Sequence, residues 1–194
     1  MTHSLCGQKN NLSKTPPGIP TQKELKAEER NHHCVKKTNT PFKTRLKHYP
    51  FNISTQIQLV SFPGGVDTSK WKDMTNIDSL PRLNDTVCYA KLKEVKALTL
   101  SQIDKLTDIF YNYGFGGHVH IGYIRCFRPR NAILFLDNSG RLVEYIEVCF
   151  ECNNTKESSQ KISLGQMCTE KMSMLRDYYK HVGITYGLKK EVEE

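Results

Sequence analysis

The chain has 194 residues and a formal net charge of +8, enough for one domain of ordinary size with a segment left over. No stretch approaches the roughly 20 apolar residues of a membrane-spanning helix. The basic excess sits at one end: residues 1–50 hold ten Lys or Arg against three Glu, and residues 51–194 hold eighteen against seventeen acids.

The N-terminal charges are scattered among Thr, Asn, Gln and Pro with no run of five, which argues for a solvated tether and against a nucleic-acid arm. Cys6-Gly7-Gln8-Lys9, leading into a polar, Pro-containing stretch, looks like the mature start of a bacterial lipoprotein. Cys6 is therefore a candidate lipidation site and the segment a membrane tether. Two features stand against it: Leu5 is not a small residue, and the apolar segment of a signal peptide is missing before it. Pro16, Pro17, Gly18, Pro20, Pro41 and Pro50, with little apolar periodicity, predict a linker over residues 7–50 carrying one short helix near Gln22–Arg30. His32, His33 and Cys34 are metal-ligating types, but neighbours on a mobile segment seldom form a defined site. The expected organisation is a basic linker over 1–50 and a single domain over 51–194.

Within that domain, Ile57–Phe62 reads as a short strand ended by Pro63-Gly64-Gly65. Val87–Leu98 alternates and predicts a half-exposed strand. Thr99 with Gln102 three residues on makes a capping box for a helix with Leu100, Ile103, Leu106, Phe110 and Tyr113 on one face, stopping at Gly114. His118–Phe127 reads as a strand. Ala132–Leu136 and Leu142–Phe150 read as a hairpin in which Gly140 supplies the positive φ of the turn. A last helix is expected from Gly165 to Val182, closed by Gly183 with Ile184 folding back. The fold class is α+β, a mainly antiparallel sheet with two helices packed on one face.

Seven cysteines are many for a reducing compartment, and setting Cys6 aside leaves an even six. With Asp137 facing Arg141, the hairpin register places Ala132 opposite Ile146, Pro129 opposite Cys149 and Cys126 opposite Cys152. Facing residues are close enough for a disulfide or a shared metal. Zinc needs four ligands: Cys126, Cys149 and Cys152 would supply three, and Cys168, His118 or His120 the fourth. Cys168 also suits a plain core position. Cys149 and Cys152 form a CxxC, but at the end of a strand rather than at a helix N-terminus, so redox catalysis of the thioredoxin kind is disfavoured. His118 and His120 share one strand face. Glu147 shares a strand face with Val143, Tyr145 and Cys149, an apolar side where a charge needs a partner; Arg128 and Arg130 are the nearest cations in register. No nucleophile elbow, Walker loop, dinucleotide fingerprint or HExxH occurs, so no catalytic residue is assigned.

The run PRNAILFLD-NSG-RLVEYIEVCFEC, followed by a helix with a Gly-Ile stop, resembles a family of uncharacterised bacterial proteins with a strand, D-x-x-G turn, strand and CFxC pattern over roughly residues 120–187. Many members look like envelope lipoproteins or secreted proteins. The resemblance implies a cell-envelope location, lipid-anchored or secreted, with a cytoplasmic one as the alternative, and no defined activity. The expected function is a non-enzymatic binding or structural domain with a cysteine cluster. A zinc-binding module is the alternative, and an enzyme using Glu147 the third reading.

Overall fold

A computed structural model describes residues 20–64, 79–83, 86–120 and 126–188. The elements in chain order are α1 (Gln22–His32), β1 (Cys34–Lys36), α2 (Phe42–Arg45), β2 (Gln56–Ser61), β3 (Arg82–Leu83), β4 (Thr86–Val87), β5 (Glu94–Ala97), α3 (Leu100–Asn112), β6 (Tyr113–Phe115), β7 (Asn131–Leu136), β8 (Leu142–Cys149), β9 (Asn154–Glu157) and α4 (Lys171–Val182). Five strands form one sheet in the order β5-β2-β7-β8-β9, with every neighbouring pair antiparallel. The fold is α+β.

The sheet is buried on both sides, and the period-2 alternation of its strands divides the core in two. Ile57, Leu59, Ile133, Phe135, Ile146 and Val148 join Leu106, Ile109 and Phe110 of α3 and Met172, Leu175, Tyr178 and Tyr179 of α4 in the larger cluster. Val60, Phe62, Ala132, Leu134 and Leu136 meet Leu80 and Val87 in the smaller one. The central strand β7 is buried at all six positions, which is why NAILFL reads as an unbroken apolar run.

The local signals of the ends are realised. Thr99 caps α3 in a capping box with Gln102. Gly183 adopts the left-handed conformation at φ 95°, and the N–H groups of Gly183 and Ile184 return to the carbonyls of Lys180 and Tyr179. Gly140 sits at φ 76° in the β7–β8 turn, where its N–H donates to the Asp137 carbonyl at 3.0 Å.

Several expectations are corrected. Val87–Leu98 is not one strand: β4 gives way to a 3-10 turn at Tyr89–Lys91 before β5 begins. The helix over 99–114 ends at Asn112, and Gly114 lies within β6, packed against Gln166, whose side-chain carbonyl accepts the Phe115 N–H at 3.0 Å. Leu100, expected on the packed face, is 72% exposed. Residues 118–120 and 126–130 are not strand, and 121–125 lie outside the described residues. The last helix starts at Lys171, six residues later than its apolar spacing suggested.

Residues 20–50 are not a free tether. Strand β1 pairs antiparallel with β6. Arg45 is 5% exposed and donates to the carbonyls of Thr40 and Asp104, the Thr107 hydroxyl and the Asp104 carboxylate. Buried Asn112 accepts from the Thr38 hydroxyl at 2.7 Å and the Thr40 N–H at 2.9 Å. These anchors are polar and non-local, so no hydrophobic periodicity announces them. The short helix near Gln22–Arg30 is α1, with Thr21 and Glu24 as its capping box. Cys6 lies outside the described residues.

Candidate functional site

The hairpin carries a one-residue irregularity that reorders its faces. Leu136 pairs with Leu142 but Phe135 pairs with Glu144, so Val143 is the extra residue of a β-bulge. Beyond it every partner moves by one: Ala132 faces Glu147 and Ile133 faces Ile146, not Ala132 facing Ile146. Val143 therefore packs toward the helical cluster while Tyr145 packs toward the other. The expected ladder pairing of Pro129 with Cys149 does not form, because β7 begins only at Asn131.

The cysteine end is built by a turn rather than by the ladder. Strand β8 stops at Cys149, and Asn153, at φ 50°, helps reverse the chain into β9. A disulfide joins Cys126 to Cys152 across this end, with 5.5 Å between the Cα atoms. Cys126 is exposed and Cys152 buried. Cys149 keeps a free, buried thiol whose sulfur accepts the N–H groups of Arg128 and Cys152, each at 3.3 Å.

A second disulfide, Cys34–Cys168, spans 134 residues. Cys34 was read only as a metal-ligating type on an expected linker, without a bridging partner, and Cys168 lies in the turn before α4 rather than on its apolar face. Glu170 completes the junction: its carboxylate accepts the Cys34 N–H at 2.6 Å and meets the His33 ring. That contact holds the His33 imidazole above its ordinary value and the Glu170 carboxyl below its own.

These bonds remove the zinc set. The sulfurs of Cys126, Cys152 and Cys168 are committed to disulfides. Among the described residues no three His, Cys, Asp or Glu gather where a metal ion could sit. His118 and His120 are on a loop with ring centroids 5.4 Å apart, and His120 binds the Glu28 carboxylate through its ring at 2.7 Å.

Glu147 is 3% exposed, and its carboxylate accepts the Leu80 N–H at 2.6 Å. Burial raises its pKa, while that hydrogen bond, Lys156 and Arg82 act in the opposite direction. Its cations are thus Lys156, its cross-strand partner, and Arg82, instead of Arg128 and Arg130. A buried carboxylate that accepts a backbone N–H acts as a clasp for the Leu80 segment.

Among the described residues a concave surface lies between α3 and α4. A cleft of about 490 Å³ is lined by Arg45, Asp104, Lys105, Asp108, Ile109, Tyr113, Met174, Asp177, Tyr178 and His181. Its apolar floor is Ile109, Met174 and Tyr178, and Tyr178 is fixed by donating to the Gln102 carbonyl at 2.9 Å. Its rim alternates in charge: Asp104 binds Arg45, Asp108 lies 3.8 Å from Lys36, Asp177 lies 3.4 Å from Lys180, and Lys105 lies 3.4 Å from the His181 ring. Sequence reasoning missed this surface. The polar residues of both helices were visible, but their juxtaposition depends on how α3 and α4 cross.

Among the described residues no helix is long and apolar enough to cross a membrane. The two disulfides are compatible with an oxidising extracellular compartment. Compared with family models, curated proteins and solved structures, the chain matches none.

Proposed function

We propose that the protein is a non-enzymatic binding domain of the bacterial cell envelope, clamped by two disulfides, which takes its ligand in the cleft between α3 and α4. The observation that carries the reading is the pair of cross-links. One ties the N-terminal segment to the turn before α4, and the other closes the open end of the β7–β8 hairpin. Such bonds persist in oxidising compartments and are rare where glutathione and thioredoxin keep thiols reduced. The resemblance of the PRNAILFLD…CFEC run to envelope proteins points the same way, and Cys6 is the position where a lipid would anchor the chain. The cleft suits a ligand that combines an apolar body with charges of both signs, because an apolar floor surrounded by a few placed polar groups is the usual build of a binding pocket.

Alkylation of the protein from its native host, denatured without reductant, tests the location. Envelope-fraction protein is expected to leave Cys34, Cys152 and Cys168 unlabelled, and a cytosolic pool with all three labelled would overturn the reading. Adding fractionated envelope extract to isotope-labelled protein tests the binding face. Resonance shifts should gather at Asp108, Tyr113, Met174 and His181; shifts at the cysteine end alone would reject the cleft.

A further inference from the structure

Cys149 is the one cysteine of the CxxC that the disulfides leave free, and its setting gives that thiol something to do. The Cys152 N–H and the Arg128 N–H both donate to its sulfur at 3.3 Å. Cys152 itself holds one sulfur of the neighbouring disulfide, and Arg128 lies two residues from Cys126, which holds the other. The free sulfur is thus wedged between the two backbone segments that carry the bridge. The thiolate is the form that attacks a disulfide, and the two N–H groups hold the Cys149 sulfur beside the bridge it would attack.

We infer that Cys126, Cys149 and Cys152 form a thiol–disulfide exchange site in which the bridge moves between Cys126–Cys152 and Cys149–Cys152. Cys149 Sγ gives its proton to water, and its electron pair attacks Cys152 Sγ. The Cys149–Cys152 bond forms as the Cys126–Cys152 bond breaks. The leaving electron pair stays on Cys126 Sγ, which takes a proton from water. One disulfide and one thiol stand on each side of the step, so no external oxidant or reductant is consumed. The direction of attack follows from exposure: Cys126 is exposed and Cys149 is 1% exposed, so the thiolate that departs is the one solvent can receive. The consequence is a surface thiol at Cys126, made from a buried one without any net redox change. Nothing in this step depends on the envelope location or on the α3–α4 cleft.

Native protein purified without reductant is incubated with N-ethylmaleimide at pH 6.5 and pH 8.5, quenched in acid and digested in acid for peptide mapping. The expected result is label accumulating on Cys126 with time, several-fold faster at pH 8.5, together with a Cys149–Cys152 linked peptide. The exposed part of Cys88 labels in the same samples and serves as the internal standard. Cys149→Ser should abolish label on Cys126 and retain the Cys126–Cys152 bridge. An unlabelled Cys126 in wild type, after Cys88 has reacted to completion, overturns the proposal even if the variant does not fold. Equal labelling of Cys126 in Cys149→Ser overturns it as well, because the bridge would then be opening by another route.

Discussion

The Nζ of Lys171, at the start of α4, lies 2.9 Å from the carbonyl oxygen of Phe110 in the last turn of α3. The same ammonium donates to the carbonyls of Tyr113 and Leu164. Helix α3 runs straight into an extended residue at Tyr113 without a glycine cap, so its terminal carbonyls need a donor from elsewhere. A cation at the negative end of the helix supplies it.

Lys171→Met should therefore lower the unfolding free energy at pH 7 by about 1–3 kcal/mol, the usual penalty for leaving buried acceptors unpaired. Burial pushes the Lys171 pKa down to about 8. Between there and the ordinary value of 10.5, the unfolded chain holds a proton that the folded chain has released. Stability should accordingly rise with pH from about 8 toward 10. Above that, the buried phenols of Tyr111 and Tyr178, whose pKa values burial raises, reverse the trend, since the unfolded chain ionises first. Urea midpoints at half-unit pH steps check this. A wild type whose midpoint falls between pH 8 and 9.5, or a variant that rises as steeply, would count against the assignment.

Glu147 separates a charge effect from a hydrogen-bond effect. Glu147→Gln keeps an oxygen for the Leu80 N–H and removes a buried charge, so stability at pH 7 should hold or increase. Glu147→Leu removes the acceptor and should lose about 1–3 kcal/mol. Because burial raises the folded carboxyl above its ordinary 4.5, the native state keeps its proton to a higher pH than the unfolded chain. This residue's contribution then declines as pH rises through that window, and the Gln variant should lack the decline. Chemical denaturation from pH 4.5 to 7 measures it.

The two substitutions also mark where the sequence was readable. The Thr99–Gln102 capping box, the Gly140 turn and the Gly183–Ile184 stop were legible because each is a contact within a few residues, written in the residues that make it. The apolar runs of β2 and β7 were legible as strands for the same reason. Val143 was not: a valine suits either face, so nothing in RLVEYIEV marks the bulge, and the face of Glu147 relative to Val143 came out wrong with it. Cys126–Cys152 was reached by a register that the bulge then broke, and it is the turn at Phe150–Asn153 that brings the pair together. Lys171, Arg45 and Asn112 escaped notice because a buried polar group is recognised by its partners, and theirs lie far along the chain. The α3–α4 cleft belongs with them.

Arg45 links that cleft to the N-terminal segment, since one guanidinium holds the Thr40 carbonyl on one side and Asp104 and Thr107 of α3 on the other. Arg45→Ala should cost roughly 1.5–3 kcal/mol, the range for hydrogen bonds to charged groups. Arg45→Lys should recover little of it, because a single ammonium cannot span a fork of four acceptors. Thermal unfolding of both variants checks the contrast. A lysine variant as stable as wild type would show that charge alone suffices here.

The Cys34–Cys168 bridge is the strongest test of whether residues 20–50 belong to the domain. A cross-link closing 134 residues removes a large part of the unfolded chain's freedom, and measured losses for such bonds run about 2–5 kcal/mol. Replacing both cysteines by serine should give a loss in this range by urea unfolding. It should also accelerate tryptic cleavage at Lys36 and Lys37, because β1 then depends on a three-residue ladder with β6. The Cys126–Cys152 bridge closes a shorter span of 26 residues, and replacing both of its cysteines should leave cleavage at Lys36 and Lys37 unchanged. If neither double variant alters stability or cleavage, the polar anchors at Arg45 and Asn112 are sufficient to hold the segment, and the disulfide follows the fold instead of enforcing it.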